Sequence, residues 1–358
     1  MRTVLLGAGH IGQTIARLLS ESGDYAVTVA DHDAQALKSV EGLNVERQVV
    51  DSNDAEALVK LLKSADLVIN ALPYHMAIAV ATAAKAANTN YFDLTEDVHA
   101  TKAIAELAAD ANVAFMPQCG LAPGFIGIAA NTLAQLFDTI FDVKMRVGAL
   151  PEFPTNELKY NLTWSVDGLV NEYCHPCEAL QEGELIAVHP LEGVEHFSLD
   201  GVEYEAFNTS GGLGTLCETL KSKVRNLDYK SVRYPGHHSR MKFLLDDLGL
   251  KRDPELLKTI LRKNVPSTMQ DVVLVFVTVS GLRDGKHMQE VFTRKIFATH
   301  SGGRYESAIQ STTASGICTA VDLFRQGKLP KKGFIRQEAI RLSDFLDNRF
   351  GKVYANAA

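Results

Sequence analysis

The run Gly7-Ala8-Gly9-His10-Ile11-Gly12 constrains the fold more than any other stretch of the chain. It follows an apolar, strand-like run at Thr3–Leu6 and opens a helical pattern at Ile11–Ser22. In that setting each glycine has a task. Gly7 makes the tight turn, Gly9 lets backbone approach a ligand, and Gly12 lets the helix pack closely on the strand. The helix would then turn its N–H groups and the positive end of its dipole toward a pyrophosphate. Asp31 ends the second predicted strand, 19 residues past Gly12. A carboxylate there accepts hydrogen bonds from ribose hydroxyls and repels a 2′-phosphate. Gly7, Gly9, His10, Ile11, Gly12 and Asp31 therefore predict a dinucleotide site that prefers NAD, with NADP the less favoured cofactor and Arg47 keeping it open. The competing reading is a glycine turn with no nucleotide.

The first 115 residues alternate strand-like runs with helical patterns. Strands are expected at 4–6, 27–30, 45–50, 67–70, 91–93 and 113–115, and helices at 11–22, 33–40, 54–63, 75–87 and 96–111. Such an order implies a parallel, doubly wound sheet covered on both faces. Ala71, Leu72 and Pro73 follow the fourth strand at its carboxyl edge, where a cofactor crosses, so they join the expected cofactor contacts. After Pro117–Gly124 the pattern becomes richer in strands, and Asp284-Gly285 is a hairpin signal between two of them. Helices are expected at 126–137, 238–248, 254–263, 312–326 and 337–348. The expected architecture is α/β: a Rossmann domain over 1–120, then an α+β domain with a mixed or antiparallel sheet over 121–333. A C-terminal helix in 334–358 is expected to pack back on the first domain.

Composition excludes several function classes. A formal charge of −7 leaves no basic footprint for nucleic acid and no attraction to an anionic membrane. The most apolar stretches are too short to span a bilayer. Five scattered cysteines and an N-terminus without a signal-peptide pattern fit a cytoplasmic protein. Cys174-His175-Pro176-Cys177 resembles a metal motif, but no second ligand pair accompanies it, so no metal is expected.

The segments GAGHIG, INALP, NYFDLTED, CGLAPGF, SVDGLVNEY, SGGL and SVRYPGH occur in the order seen in saccharopine-dehydrogenase-like proteins, and the chain resembles that family over nearly its whole length. The group includes saccharopine reductases, lysine 6-dehydrogenases and carboxynorspermidine dehydrogenases. CGLAPG and RYPGH look most like lysine 6-dehydrogenase. The resemblance implies NAD(P)-dependent chemistry at a C–N bond of a lysine-derived amino acid or polyamine. It also implies a homo-oligomer, dimer or tetramer, assembled through the second domain's sheet. Saccharopine reductases of this group carry a basic residue near position 31 and use NADP; Asp31 departs from that pattern.

An amino-acid substrate needs a partner for its carboxylate, an acceptor for its ammonium and a proton route. Arg233 is the expected carboxylate clamp, because its planar fork binds both oxygens. Asp93, with Thr95 beside it, is expected to hold or deprotonate an ammonium, although either residue would also serve as a helix cap. His237 is the expected general acid–base, against the plainer reading that it starts a helix. Cys119 and Gly120 are expected to line a crevice where the two domains join, with the glycines allowing hinge motion, and Trp164 to wall the pocket. The favoured function is an NAD-dependent lysine 6-dehydrogenase. The alternatives are a saccharopine or carboxynorspermidine dehydrogenase, which for saccharopine needs a further clamp from Lys159, Lys221 or Arg304, and a non-catalytic NAD-sensing or scaffold protein.

Overall fold

The structure, a computed structural model, describes residues 1–301 and 303–355. It divides into two compact units, one of residues 1–128 with 310–355, the other of residues 129–309.

In the first unit the chain alternates β1 (Arg2–Leu6), α1 (His10–Glu21), β2 (Ala26–Asp31), β3 (Glu46–Val49), α2 (Ala55–Leu62), β4 (Leu67–Asn70), α3 (Ala77–Ala87), β5 (Asn90–Asp93), α4 (Val98–Ala108) and β6 (Ala114–Met116). The strands are all parallel, in the order β6-β5-β4-β1-β2-β3, as the strand–helix alternation implies. Val4, Leu6, Val68 and Tyr91 pack on Leu58, Leu62, Val80, Ala84 and Ile104. Sheet and helices thus bury one apolar layer, which drives the arrangement. One expected helix fails: residues 33–40 hold only a 3-10 turn, Ala36–Val40. The Asp33 carboxylate accepts from the Gln35 N–H at 2.8 Å, a local turn that competes with helix.

Helix α5 (Phe125–Ala134) leads into the second unit. There follow β7 (Thr139–Pro151), α6 (Val166–Cys174), β8 (Cys177–Gln181), β9 (Glu184–Val188), β10 (Glu195–Leu199), β11 (Val202–Asn208), α7 (Leu216–Leu220), β12 (Val224–Arg233), α8 (His237–Lys242), α9 (Pro254–Asn264), β13 (Asp271–Arg283), β14 (Lys286–Phe297), β15 (Thr299–Ser301) and β16 (Arg304–Glu306). Eight strands form a mixed sheet with the path β10-β11-β12-β7-β13-β14, and β8 and β9 branch from β12. Only β12 and β7 run parallel; the other pairs are antiparallel. Asp284 and Gly285 both adopt positive φ, the tight turn expected of that pair between β13 and β14.

The chain then returns to the first unit through α10 (Ala308–Arg325), β17 (Gly333–Phe334) and α11 (Leu342–Asp347). Strand β17 adds a seventh parallel strand beside β6. The division therefore falls at 128 and 309 rather than at 120 and 333. Aromatic packing explains much of the return: Phe125 stacks on Tyr354 at 3.9 Å between centroids and meets Phe345 at 5.0 Å. The helix expected at 337–348 is a 3-10 turn followed by the short α11.

Candidate functional site

The glycine run is built as its spacing requires. Gly7 has φ +101°, and a Cβ there would lie 2.9 Å from the Ala71 carbonyl oxygen. A Cβ on Gly12 would lie 2.0 Å from the Gly7 oxygen. Gly9 differs, because its Cβ would enter open space with nothing within 4 Å. It sits at the N-terminus of α1, which no side chain caps and whose first turn holds no acid. An uncapped helix end facing open space fits a dinucleotide pyrophosphate. His10 and Ile11 form the first helical turn behind it.

Asp31 is 8% exposed. It accepts from the Ala8 N–H at 2.8 Å and the Asp33 N–H at 2.9 Å, which ties it to the glycine loop. A carboxylate has about four acceptor sites, so it keeps capacity for ribose hydroxyls. Arg47, on the edge strand β3, pairs with Glu41 at 2.7 Å. The Ala71 backbone closes over Gly7, and the Leu72 N–H is held by the Asn70 side chain at 3.2 Å. Pro73 is exposed at the start of the next turn.

Asp93 ends β5 but is not an open acceptor. It is 1% exposed and takes three hydrogen bonds: from the Tyr91 hydroxyl at 2.6 Å, the Thr95 N–H at 3.0 Å and the Gln118 N–H at 2.8 Å. Burial pushes its carboxyl up to about 6 against the pull of those donors. The geometry gives it a positioning role, pinning the Gln118–Cys119 turn to the carboxyl edge of the sheet. Thr95 is also buried, and Asp97 rather than Asp93 or Thr95 caps α4, accepting from the Ala100 N–H at 2.7 Å.

The CGLAPG segment belongs to the first unit. Its glycines allow close backbone packing. A Cβ on Gly124 would lie 2.1 Å from the Gly120 oxygen, and one on Gly316 of α10 would lie within 2.8 Å of the Cys119 and Gly120 oxygens. Cys119 is buried, and burial raises its thiol well above the ordinary range, so it is a neutral contact and not a nucleophile. Gln337 donates to both Pro117 O and the Cys119 sulfur.

In the second unit, Arg233 ends β12 and is 2% exposed. Its guanidinium lies over the rings of Tyr160 and Tyr173, 5.1 and 5.7 Å from the centroids. Its Nε donates to the Tyr173 hydroxyl at 2.9 Å, and one Nη donates to Val232 O at 2.8 Å. Three Lys and Arg side chains are buried among the described residues: Arg146, Lys230 and Arg233. Arg146 pairs with Glu195 and Asp228, and Lys230 with Glu195 at 3.0 Å. Among the described residues Arg233 has no carboxylate within 4 Å, although the buried Glu172 acts on it through space.

His237 does not suit the acid–base role expected of it. It is fully buried, with Nδ1 2.9 Å from the Leu158 oxygen and Nε2 3.1 Å from the Tyr173 hydroxyl. A carbonyl only accepts, so Nδ1 carries the proton and Nε2 accepts from Tyr173. Burial, helped by the nearby Arg233 charge, pushes its pKa down to about 3, which keeps the ring neutral. His238 is held in the same manner, its Nε2 2.6 Å from Leu191 O and its N–H on Glu205. Gly236, at φ +97°, turns the chain between strand and helix, which explains the RYPGH motif. Trp164 is half-buried and lies against Gly168, where a Cβ would meet its ring at 2.3 Å. Gly212 of SGGL makes the same room for Tyr229.

The sequence did not single out Tyr160, Tyr173 or Glu172. Tyr173 carried a signal, standing four residues after Leu169 on the buried face of α6. Tyr160 carried none. Cys174, His175 and Cys177 gather no further ligands: no group of three or more His, Cys, Asp or Glu among the described residues is placed to hold a metal ion. No described helix is long and apolar enough to cross a membrane.

Saccharopine dehydrogenase (NADP(+), L-glutamate-forming) of Pyricularia oryzae is 25% identical over 278 residues, covering 74% of this chain and 60% of that protein. Mitochondrial alpha-aminoadipic semialdehyde synthase of Mus musculus is 26% identical over 196 residues, 52% of this chain. The matched part is 21% of the mouse protein's length. Among solved structures, apo saccharopine dehydrogenase (L-Glu forming) from Saccharomyces cerevisiae shares the fold, with a TM-score of 0.80 at 17% identity over 96% of this chain and 95% of that one. Residues 3–116 match the model of the saccharopine dehydrogenase NADP binding domain, and residues 120–350 that of the saccharopine dehydrogenase C-terminal domain. With both parts matched, the chain belongs to the saccharopine dehydrogenase family.

Proposed function

We propose that the protein is an NAD-dependent oxidoreductase that oxidises a C–N bond of a lysine-type amino acid, deaminating it at the ε-carbon. One observation carries the substrate class: Arg233 is the only buried Lys or Arg among the described residues with no carboxylate partner. A buried charge left unpaired is costly, and an anionic substrate group supplies the missing partner. Arg233 therefore binds the α-carboxylate. Tyr173, whose hydroxyl donates to His237 Nε2, accepts from the Arg233 Nε and holds that edge from behind, and neither residue takes a proton from the substrate.

When bound, the nicotinamide supplies the hydride acceptor. The glycine loop and the N-terminus of α1 hold its pyrophosphate, and Asp31 receives the ribose hydroxyls. The family model is named for NADP, but Asp31 places a negative charge where a 2′-phosphate would sit, and Arg47 is engaged by Glu41. We therefore assign NAD as the preferred cofactor. The sheet edge at β14, with Val291 and Phe297 exposed, supports a homo-oligomer.

The name of the Pyricularia oryzae relative favours a second reading, saccharopine as the substrate. Saccharopine carries additional carboxylates, yet Lys159 is directed to Glu157, 3.8 Å away, and Lys221 is exposed. The Arg304 side chain lies outside what the structure describes. Formation of NADH or NADPH with L-lysine, saccharopine and diamines separates the readings. L-lysine with NAD is expected to give the highest kcat/KM. Turnover of saccharopine alone would overturn the lysine assignment, and no turnover of any would favour a sensing or scaffold protein.

A further inference from the structure

We propose that the hydroxyls of Tyr160 and Thr163 complete a carboxylate cup around the unused guanidinium edge of Arg233, which makes the 154–164 segment a substrate-specificity element of the second unit. The proposal rests on the reading that Arg233 binds the substrate carboxylate, and it names the groups that share that task.

Buried polar atoms nearly always have partners, so exceptions point to something absent. Five buried side-chain N or O atoms lack one among the described residues: Asn156 Oδ1, Tyr160 OH, Thr163 Oγ1, Thr219 Oγ1 and Thr319 Oγ1. Three of the five fall within eight residues of one segment, and that segment packs on Arg233. Tyr160 is 1% exposed, and its ring lies under the guanidinium and 5.2 Å from the His237 ring. The Thr163 and Trp164 side chains lie beside its hydroxyl and pull its pKa down against the larger upward push of burial.

The segment is braced in place before any ligand arrives. The Asn156 amide donates to Tyr160 O at 2.7 Å, and the Asn161 amide donates to the Thr155 hydroxyl at 2.9 Å. The Leu158 carbonyl anchors the segment to His237. Such bracing holds the two hydroxyls at little entropic cost on binding.

Donor arithmetic selects the ligand. A guanidinium has five N–H donors, and only the Nε and one Nη hydrogen bond are in use. The free edge adds two parallel donors, and each hydroxyl adds one. A carboxylate accepts about four hydrogen bonds, two of them from such a fork. A protonated amine has no acceptor site and gains nothing from these groups. The cup therefore distinguishes an amino acid from the diamine left by removing its carboxylate.

The test uses the full chain with Tyr160→Phe and Thr163→Val, with L-lysine and cadaverine as probes. Tyr160→Phe removes one hydroxyl and keeps the ring. The ratio of KM for L-lysine to KM for cadaverine is expected to rise about tenfold, as for loss of a hydrogen bond to a charged group. The kcat for lysine should change less than twofold. Without substrate, the melting temperature of Tyr160→Phe should stay level or rise, because an unpartnered buried hydroxyl is gone. A smaller shift of the same sign is expected for Thr163→Val. An unchanged KM ratio, or equal losses on both probes, would overturn the cup. If the wild type makes no NADH from lysine, thermal shifts with L-lysine and glutarate separate the two claims. Stabilisation that Tyr160→Phe weakens supports the cup and rejects only the assigned reaction, whereas a wild type stabilised by neither carboxylate rejects the cup.

Discussion

Arg146 and Arg233 lie on neighbouring strands of one sheet, β7 and β12, and each is 2% exposed. Around Arg146 the charges close among themselves: Glu195 and Asp228 pair with it, and Lys230 pairs with Glu195. Around Arg233 no carboxylate among the described residues reaches ion-pair distance; aromatic faces and a neutral histidine surround it, and the buried Glu172 acts on it only through space. Burial and residue type are the same at both positions. What separates a structural arginine from a binding one is whether the fold itself supplies the counter-ion.

That contrast can be broken by substitution. Arg146→Met leaves Glu195 and Asp228 with Lys230 alone, and should destabilise the protein by about 3 kcal/mol in urea denaturation, a value kept low because both carboxylates are partly exposed. Arg233→Met removes a charge with no carboxylate in ion-pair contact among the described residues, so the same measurement should show a smaller loss, about 1 kcal/mol. Equal destabilisation by the two variants would erase the distinction.

Asp93 sharpens it with a third kind of buried charge, one satisfied by donors but without a counter-ion. Its folded pKa, about 6, lies above the unfolded value of 3.8. Between those limits the folded protein binds more protons than the unfolded chain. Stability therefore falls as pH rises from about 4 to about 6, by roughly 3 kcal/mol. Asp93→Asn keeps an acceptor for the Thr95 and Gln118 N–H groups and should flatten that part of the stability–pH curve. A slope that survives in the variant would assign it to another group, for example Asp271, which burial also raises to about 6.

The smallest effect is expected at the cofactor end. Asp31→Ser should lower the preference for NAD over NADP by on the order of 1 kcal/mol, about fivefold in the ratio of dissociation constants. Equal affinity of the unaltered protein for both cofactors would contradict the assignment of Asp31.

The first unit was more legible in sequence than the second, for a physical reason. A parallel sheet requires crossover helices, so periodicity alone discloses the alternation, and the glycine run marks its ligand edge. In the second unit the central strand β7 pairs with β12 and β13, which come from distant parts of the chain. Helix α6 was missed, because its Gly168 weakens its helical signal while making room for Trp164. Arg233 was found through its motif. Its partners Tyr160 and Tyr173 are 73 and 60 residues away, and no local pattern joins them to it. Asp93, Cys119 and His237 were legible as polar residues at turns, but only the structure shows their atoms already engaged.

The most direct test of Arg233 as carboxylate clamp compares L-lysine with cadaverine in the wild type and in Arg233→Lys, reading NADH formation. A lysine ammonium cannot reproduce the planar two-point contact. The ratio of kcat/KM for L-lysine to that for cadaverine should fall ten- to a hundredfold, corresponding to about 1.5–3 kcal/mol for a charged hydrogen bond. An unchanged ratio would show that Arg233 is a structural residue like Arg146, and the account of the substrate would fail with it.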